Sequence, residues 1–282
     1  MCCGDNMDKN QEIERSIIKK YRKSIWRMFT KALNEYDLIQ ENDKIAVCIS
    51  GGKDSFLAAK CLQELRRHGK INFELEFIVM DPGYNKHDLK KLKENAKTLN
   101  IPIDIFKSDI FEVVTSLEEG EPCYLCARMR RGYLYNRARE LGCNKIALGH
   151  HYDDVIETIL MSMLYGGEVK TMMPKLYSAN YEDMQLIRPL YLIKEADIIL
   201  WAKSNDLEFM KCGCPFLEAC ALDDSGGSKR AEMKQLVNQF RETSKHIEQN
   251  IFKSVENINL DAVIGYKKSN KKTHFLDEYE KR

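Results

Sequence analysis

No apolar run in the 282-residue sequence approaches the roughly 18 residues needed to cross a bilayer, and the opening Met1-Cys2-Cys3-Gly4-Asp5-Asn6 lacks a signal peptide's apolar core. A cytoplasmic protein without membrane association is therefore expected. An excess of charge of either sign is missing too: 44 basic side chains face 43 acidic ones, so a polyanion would have to be met by a local patch. Neither the G-x-x-x-x-G-K-S/T loop nor the G-x-G-x-x-G fingerprint occurs, which excludes the usual P-loop and dinucleotide readings. No His-x-x-x-His pairing suggests a histidine metal site, and no internal repeat is visible. Ten cysteines in a cytosolic chain argue against a disulfide framework and for thiols that are buried, catalytic or metal-bound.

What is present begins with Ser50-Gly51-Gly52-Lys53-Asp54-Ser55, between the apolar run Lys44–Ile49 and the helical pattern Phe56–Leu62. Adjacent glycines allow a tight turn with consecutive N–H groups exposed. Ser50 and Ser55 add hydroxyls, Lys53 a cation, and the helix start its positive dipole. A pyrophosphate suits such a loop; the bland alternative is an ordinary glycine turn before a helix. The S-G-G-x-D-S form resembles the PP-loop of the ATP pyrophosphatases, which split ATP between the α and β phosphates to adenylylate a substrate oxygen.

Strand and helix alternate around this loop. Apolar positions from Ile13 to Leu33 predict an amphipathic N-terminal helix over about 10–36. Strands are expected at 73–80, 101–106, 145–149 and 184–190, with helices at 86–99, 128–141, 154–164, 194–205 and 229–254. The alternation predicts an α/β fold, a doubly wound, Rossmann-like parallel sheet with helical additions at both ends and ligands at the carboxyl ends of the strands. The expected partition is an N-terminal helical extension over 1–40, the PP-loop domain over 41–220 and a helical region over 221–282. The charged tail 267–282 reads as frayed and Ser225–Ser228 as a turn.

Glu121-Pro122-Cys123-Tyr124-Leu125-Cys126 reads as a C-x-x-C in a loop just before a helix, where a helix dipole lowers thiol pKa and two sulfurs reach one metal. It supplies half a site; Cys212, Cys214 and Cys220 are available to complete it, and spacing alone does not separate zinc from iron–sulfur. Cys48, Cys61 and Cys143 read as small core hydrophobes. Gly149-His150-His151-Tyr152-Asp153-Asp154 ends a strand on the same sheet edge as the phosphate loop. Carboxylates beside a triphosphate suggest Mg2+, although Asp153 and Asp154 also suit helix capping. His151 reads as structural, and core packing is the plainer account of Tyr165, Met172 and Met173. Arg128, Arg130 and Arg131, with Lys170, Lys175 and Arg188, are candidates for a basic rim at the mouth of the site.

In order, SGGKDS, PCYLCARMRRG, ALGHHYDD, YGGE and MPKL resemble the TtcA family of tRNA 2-thiocytidine synthetases, from about Asp43 through Leu190. The resemblance implies an ATP-dependent tRNA sulfurtransferase. It implies ATP with Mg2+ at Ser50, Gly51, Gly52, Lys53, Asp54, Ser55, Met80, Asp81, Gly149 and His150, with Lys53, Asp54 and Asp154 catalytic. It also implies a 4Fe-4S cluster held by Cys123, Cys126 and a distant cysteine, Cys214 in preference to Cys212, with one iron open to carry sulfur. The partners implied are tRNA, a sulfur donor such as a cysteine desulfurase or free sulfide, and a second copy in a homodimer. Cytidine of the anticodon loop is the family's usual base; uridine thiolation, a cluster-free PP-loop ligase and a zinc-stabilised RNA- or nucleotide-binding protein are the competing readings. The C-terminal Cys-Gly-Cys-Pro departs from the C-x-x-C common in the family. Anaerobically purified protein is expected to carry about four irons and four labile sulfides, lost in Cys123→Ala; a metal assay finding zinc alone contradicts this.

Overall fold

The computed structural model describes residues 8–108, 110, 122–210 and 229–279, with backbone alone at 122–127 and 278. Cys2, Cys3, Cys212, Cys214, Cys220 and Ser225–Ser228 lie outside the described residues.

The N-terminal stripe is buried at Ile13, Ile17, Ile25 and Phe29, a four-residue rhythm that continues through Leu33. On a helix of 3.6 residues per turn, each four-residue step overshoots by about 40°, so a straight helix would carry the stripe off the core. The chain instead runs as α1 (Lys9–Arg15), two π-helical turns (Ser16–Lys20 and Arg22–Trp26) and α2 (Arg27–Glu35). A π turn rotates less per residue and takes up that drift. The expected single helix is thus one continuous run with two bulges.

Six strands form one sheet: β1 (Lys44–Cys48), β2 (Glu74–Asp81), β3 (Ile103–Lys107), β4 (Lys145–Ala147), β5 (Lys175–Tyr177) and β6 (Gln185–Ile187), ordered β3-β2-β1-β4-β6-β5. All neighbours are parallel except β5 and β6. The expected parallel sheet therefore gains one antiparallel edge strand. β1 is central and buried on both faces. Ile45 and Val47 pack with Phe56 and Leu57 of α3 (Lys53–His68), while Ala46 and Cys48 pack with Tyr135 and Ala138 of α5 (Pro122–Glu140). α4 (Lys86–Thr98) and α7 (Glu195–Ser204) contribute Leu92, Ile198 and Trp201 to the first of these clusters, which also holds Ile13, Ile17 and Phe29. Cys48, Cys61 and Cys143 are buried free thiols, and burial pushes Cys48 up to about 12 and Cys143 to about 11.

Helix α5 starts at Pro122, so Cys123 and Cys126 have helical backbone and do not precede the helix. Proline at the first helical position has a suitable φ and no N–H to leave unpaired. α6 (Tyr152–Leu164) follows β4, and the expected helix at 229–254 is two, α8 (Lys229–Thr243) and α9 (Ile247–Ser254). The tail is ordered into β7 (Gly265–Lys268), β8 (Lys271–His274) and α10 (Leu276–Tyr279). By internal contacts the chain forms two compact units, Met1–Val155 with Met172–Ser228, and Ile156–Thr171 with Lys229–Arg282.

Buried charges tie the first unit together. Lys60, fully buried, donates to Glu14 at 2.6 Å, Asn10 at 2.9 Å, Gln63 at 3.0 Å and the Leu99 carbonyl at 2.9 Å, and Arg67 takes the other Glu14 oxygen at 2.6 Å. Burial alone would raise the Glu14 pKa, but Lys60 and Arg67 outweigh it and hold it below the ordinary 4.5. Glu14→Gln leaves a buried cation without its anion and is expected to cost about 3 kcal/mol in urea unfolding at pH 7. Because the folded pKa is lowered, that stabilisation is complete above 4.5 and disappears as pH falls through the folded value, so wild type and variant converge in acid.

Candidate active site

The sheet order reverses direction between β1 and β4, the switch point at which α/β sheets bind ligands. Ile45 pairs with Lys145 and Val47 with Ala147, so the segments that leave these strands, beginning at Ser50 and at His150, emerge side by side. Buried Lys145 enforces this. It donates to Asp43 at 2.6 Å, Gln40 at 2.5 Å and the Leu38 carbonyl at 3.0 Å, while Asn144 bridges the Lys44 amide and the Asp43 carboxylate at 2.8 Å each.

The phosphate loop is pre-shaped. Gly51 sits at φ +86°, a conformation that L side chains rarely adopt, and Gly52 precedes the first residue of α3. The Ser55 hydroxyl accepts from the Ser50 amide at 3.2 Å and donates to the Gly52 carbonyl at 2.9 Å. A β-carbon on Gly149 would lie 2.9 Å from the Asp54 carbonyl carbon and the Ser55 nitrogen. Only glycine lets the segment after β4 approach the loop so closely.

Ser50, Asp54, Ser55, Met80, Gly149, His150 and Asp154 are brought together as walls of a cavity of about 320 Å3, with Cys48, Tyr84, Arg130, Leu134 and His151. Gly51, Gly52, Lys53 and Asp81 do not line it. The Asp81 carboxylate accepts from the Gly83 amide at 2.9 Å and the Tyr84 amide at 2.8 Å, shaping the turn after β2. Lys53 reaches Asp54 at 3.2 Å and Glu195, first residue of α7, at 3.1 Å. Burial lowers the Lys53 pKa, but the two carboxylates outweigh it and leave the ammonium held above its ordinary value. Asp153 accepts the Glu195 amide at 2.7 Å and Asp154 the His151 amide at 2.9 Å, so both act as caps. Cys123 and Cys126 are placed by backbone only.

His151, read from sequence as structural, stands amid carboxylates: Nε2 lies 3.8 Å from Asp54, and Nδ1 3.5 Å from Asp154 and 3.8 Å from Asp153. Among the described residues, Asp54 Oδ1 and His151 Nδ1 are buried without a hydrogen-bond partner. Burial raises the Asp54 pKa, against the opposing pull of His151 and Lys53. Also among the described residues, no three His, Cys, Asp or Glu side chains are arranged to hold a metal alone. One free carboxylate oxygen beside a phosphate loop suits Mg2+, which takes one or two protein carboxylates and fills its shell with phosphate and water.

A second cavity, of about 880 Å3, shares Arg130, Leu148 and His150 with the first. Arg128, Arg131, Arg188, Tyr135, Tyr177 and Tyr181 also line it, with Tyr135 and Tyr181 stacked at 4.9 Å. Arg188 is buried; its Nε donates to His150 Nδ1 at 3.3 Å and Nη1 to the Met173 carbonyl, and burial brings its pKa down to about 10. Four of the six expected basic residues thus converge. Lys175 turns to Asp37 and Lys170 to Glu168. Tyr165 and Met173 are about half exposed and do not pack in the core. Nothing local in the sequence marked Glu195, whose partner Lys53 is 142 residues away.

The PP-loop domain family matches residues 20–212. A tRNA-cytidine(32) 2-sulfurtransferase of Syntrophotalea carbinolica is 35% identical over 248 residues, 87% of this chain and 92% of that protein. The chain belongs to the PP-loop family of tRNA-cytidine 2-sulfurtransferases. Its Paraburkholderia xenovorans relative of the same name is 38% identical over 244 residues, 85% of this PP-loop chain and 69% of the relative. The fold is shared with the U34-tRNA thiolase NcsA of Methanococcus maripaludis, solved with its 4Fe-4S cluster: TM-score 0.65, 24% identity, covering 86% of this chain and 80% of that one.

Gly149→Ala is expected to fold yet push the PP-loop out of register, lowering ATP affinity by roughly 10-fold or more with tRNA affinity unchanged; calorimetry with ATP and with tRNA checks both.

Proposed function

We propose that the protein thiolates tRNA, using ATP to adenylylate the C2 oxygen of an anticodon-loop cytidine and replacing that oxygen by sulfur. The observation that carries this reading is the pair of adjoining cavities at the switch point. One is walled by Ser50, Asp54 and Ser55 of the phosphate loop and the other is basic and aromatic, and the two share Arg130 and His150. Relatives named for cytidine 2-sulfur transfer support the base.

In this reading the backbone of Gly51 and Gly52 and the hydroxyls of Ser50 and Ser55 bind the ATP phosphates. Asp54 and Asp154 would hold Mg2+, which would supply charge neutralisation of the triphosphate. Met80 packs beside the nucleotide, and Lys53 exchanges Glu195 for phosphate oxygen. Arg188 donates to His150 Nδ1, so neutral His150 carries its proton on Nε2 and serves as a donor. The base oxygen attacks the α-phosphorus and pyrophosphate leaves. The oxygen, now part of a phosphoester, departs with AMP when sulfur attacks C2, with no net redox change.

Cys123, Cys126 and Cys214, with Cys212 as the alternative to Cys214, would hold a 4Fe-4S cluster whose open iron supplies hydrosulfide. Thiolates are the right donors for such a cluster. A cysteine desulfurase or free sulfide is the proposed source of sulfur, a homodimer the proposed assembly and the cytoplasm the proposed location; no helix of the described residues is long and apolar enough to cross a membrane.

The test is anaerobic incubation of reconstituted protein with ATP, Mg2+, sulfide and unmodified tRNA, followed by nucleoside mass spectrometry. 2-Thiocytidine with tRNA-dependent AMP and pyrophosphate is expected. 2-Thiouridine moves the enzyme to the uridine branch, and AMP formation without thionucleoside overturns sulfur transfer. Arg131→Ala is expected to raise KM for tRNA roughly 10-fold, the worth of one charge-assisted contact, with KM for ATP unchanged in the same assay.

A further inference from the structure

The second compact unit carries a feature that the proposed chemistry does not use. β7 and β8 form a two-residue hairpin, Gly265-Tyr266-Lys267-Lys268-Ser269-Asn270-Lys271-Lys272-Thr273-His274. Ser269 and Asn270 have φ of +49° and +63°, the left-handed pair that a tight hairpin turn matching strand twist requires. The turn fixes the register, and the register sets Lys267 opposite Lys272 and Lys268 opposite Lys271. Like charges directly opposite one another destabilise a strand pair.

Little among the described residues relieves that repulsion. Among the described residues, Lys267 alone of the four reaches a carboxylate, Glu168 at 3.5 Å, and Glu168 also holds Lys170 at 2.6 Å. Asp277, the nearest acidic residue in sequence, is occupied in accepting the His274 amide at 2.8 Å. With a chain net charge of only +1, four lysines within six residues form a local concentration. Beside them His274, Phe275 and Tyr279 make a ring chain with centroid spacings of 4.8 and 6.3 Å, and Phe275 and Tyr279 are 47% and 69% exposed. Positive charge that tracks a backbone, with exposed rings alongside for bases, is the composition of a sequence-tolerant RNA contact.

We infer that the hairpin β7–β8 is a second RNA-binding element, whose four lysines contact the phosphate backbone of the same tRNA. This rests on the tRNA-thiolation reading. A polyanion supplies counter-charge that the described residues do not, and the register places Lys267 with Lys272 on one face of the ribbon and Lys268 with Lys271 on the other, so backbone passing along either face meets a lysine pair.

The experiment is tRNA binding by fluorescence anisotropy as a function of salt, comparing wild type, a Lys267→Gln/Lys268→Gln/Lys271→Gln/Lys272→Gln variant and the four Lys→Arg changes. Removing like-charge pairs should leave the Gln variant at least as resistant to urea as wild type, so lost binding is not lost folding. The inference expects the Gln variant to bind tRNA about 10–100-fold more weakly near 0.15 M salt, its log K–log salt slope smaller by about 3 for four lost phosphate contacts. The Arg variant should bind like wild type. Thiolation of saturating tRNA and the ATP KM should be unchanged in both. Wild-type affinity and slope in the Gln variant overturn the inference, including where that variant instead loses binding to phosphatidylserine vesicles or changes oligomeric state. Failure of the thiolation reading shows separately, in wild type that makes no thionucleoside.

Discussion

The lateral pairing of β1 with β4 is the constraint on which the site depends. Ile45, Ala46 and Val47 of β1 each lie beside the residue numbered one hundred higher in β4. A slip would invert the faces of β4 and carry the Gly149–Asp154 segment away from the phosphate loop. The lock is electrostatic and sits at the other end of the strands: Lys145, 1% exposed, is matched to Asp43, Gln40 and the Leu38 carbonyl. A buried ammonium is tolerable only where such partners converge, so wrong registers are penalised by several kcal/mol. Specificity of pairing at the amino ends thus sets the geometry at the carboxyl ends, where Gly149 meets Asp54 and Ser55.

The site was legible where chemistry and neighbourhood coincide in sequence. SGGKDS between a strand and a helix carries its own turn, hydroxyls and dipole, and GHHYDD ends a strand at the same edge. Contacts across long separations were not legible: Glu195 on Lys53, Glu14 on Lys60 and Asp43 on Lys145 are far apart in the chain, and a lysine reads as solvent-facing until its partners are known. β5 escaped because Lys175, Leu176 and Tyr177 form a short, largely exposed edge strand with no clear alternation. The hairpin escaped because four lysines look like a frayed tail. Turn chemistry at Ser269-Asn270 overrode composition.

Charge is concentrated where the global balance hides it. Arg188 is buried against a histidine and a carbonyl with no carboxylate in salt-bridge reach among the described residues, and its pKa is brought down to about 10 by burial. An anion entering that cavity is therefore attracted by a cation whose desolvation has already been met by folding. The Asp54 carboxyl shows the converse, its pKa raised by burial while Oδ1 has no hydrogen-bond partner among the described residues, so a cation arriving with phosphate relieves a cost the folded protein carries.

These stored costs also order events at the loop. Lys53 is held by Asp54 and Glu195, and Glu195 opens the helix whose first amide is capped by Asp153. A phosphate that takes Lys53 must displace Glu195, and the displaced carboxylate belongs to the start of α7, which is packed through Ile198 and Trp201 into the core beneath the loop. The exchange therefore falls on side-chain rotamers, because the backbone of α7 is fixed by that packing. On the proposed reading selectivity follows: a lone weak anion would not outcompete a carboxylate at 3.1 Å, whereas a triphosphate with its metal would bring several charges to the same loop and offer Asp54 a cation as Lys53 leaves Glu195.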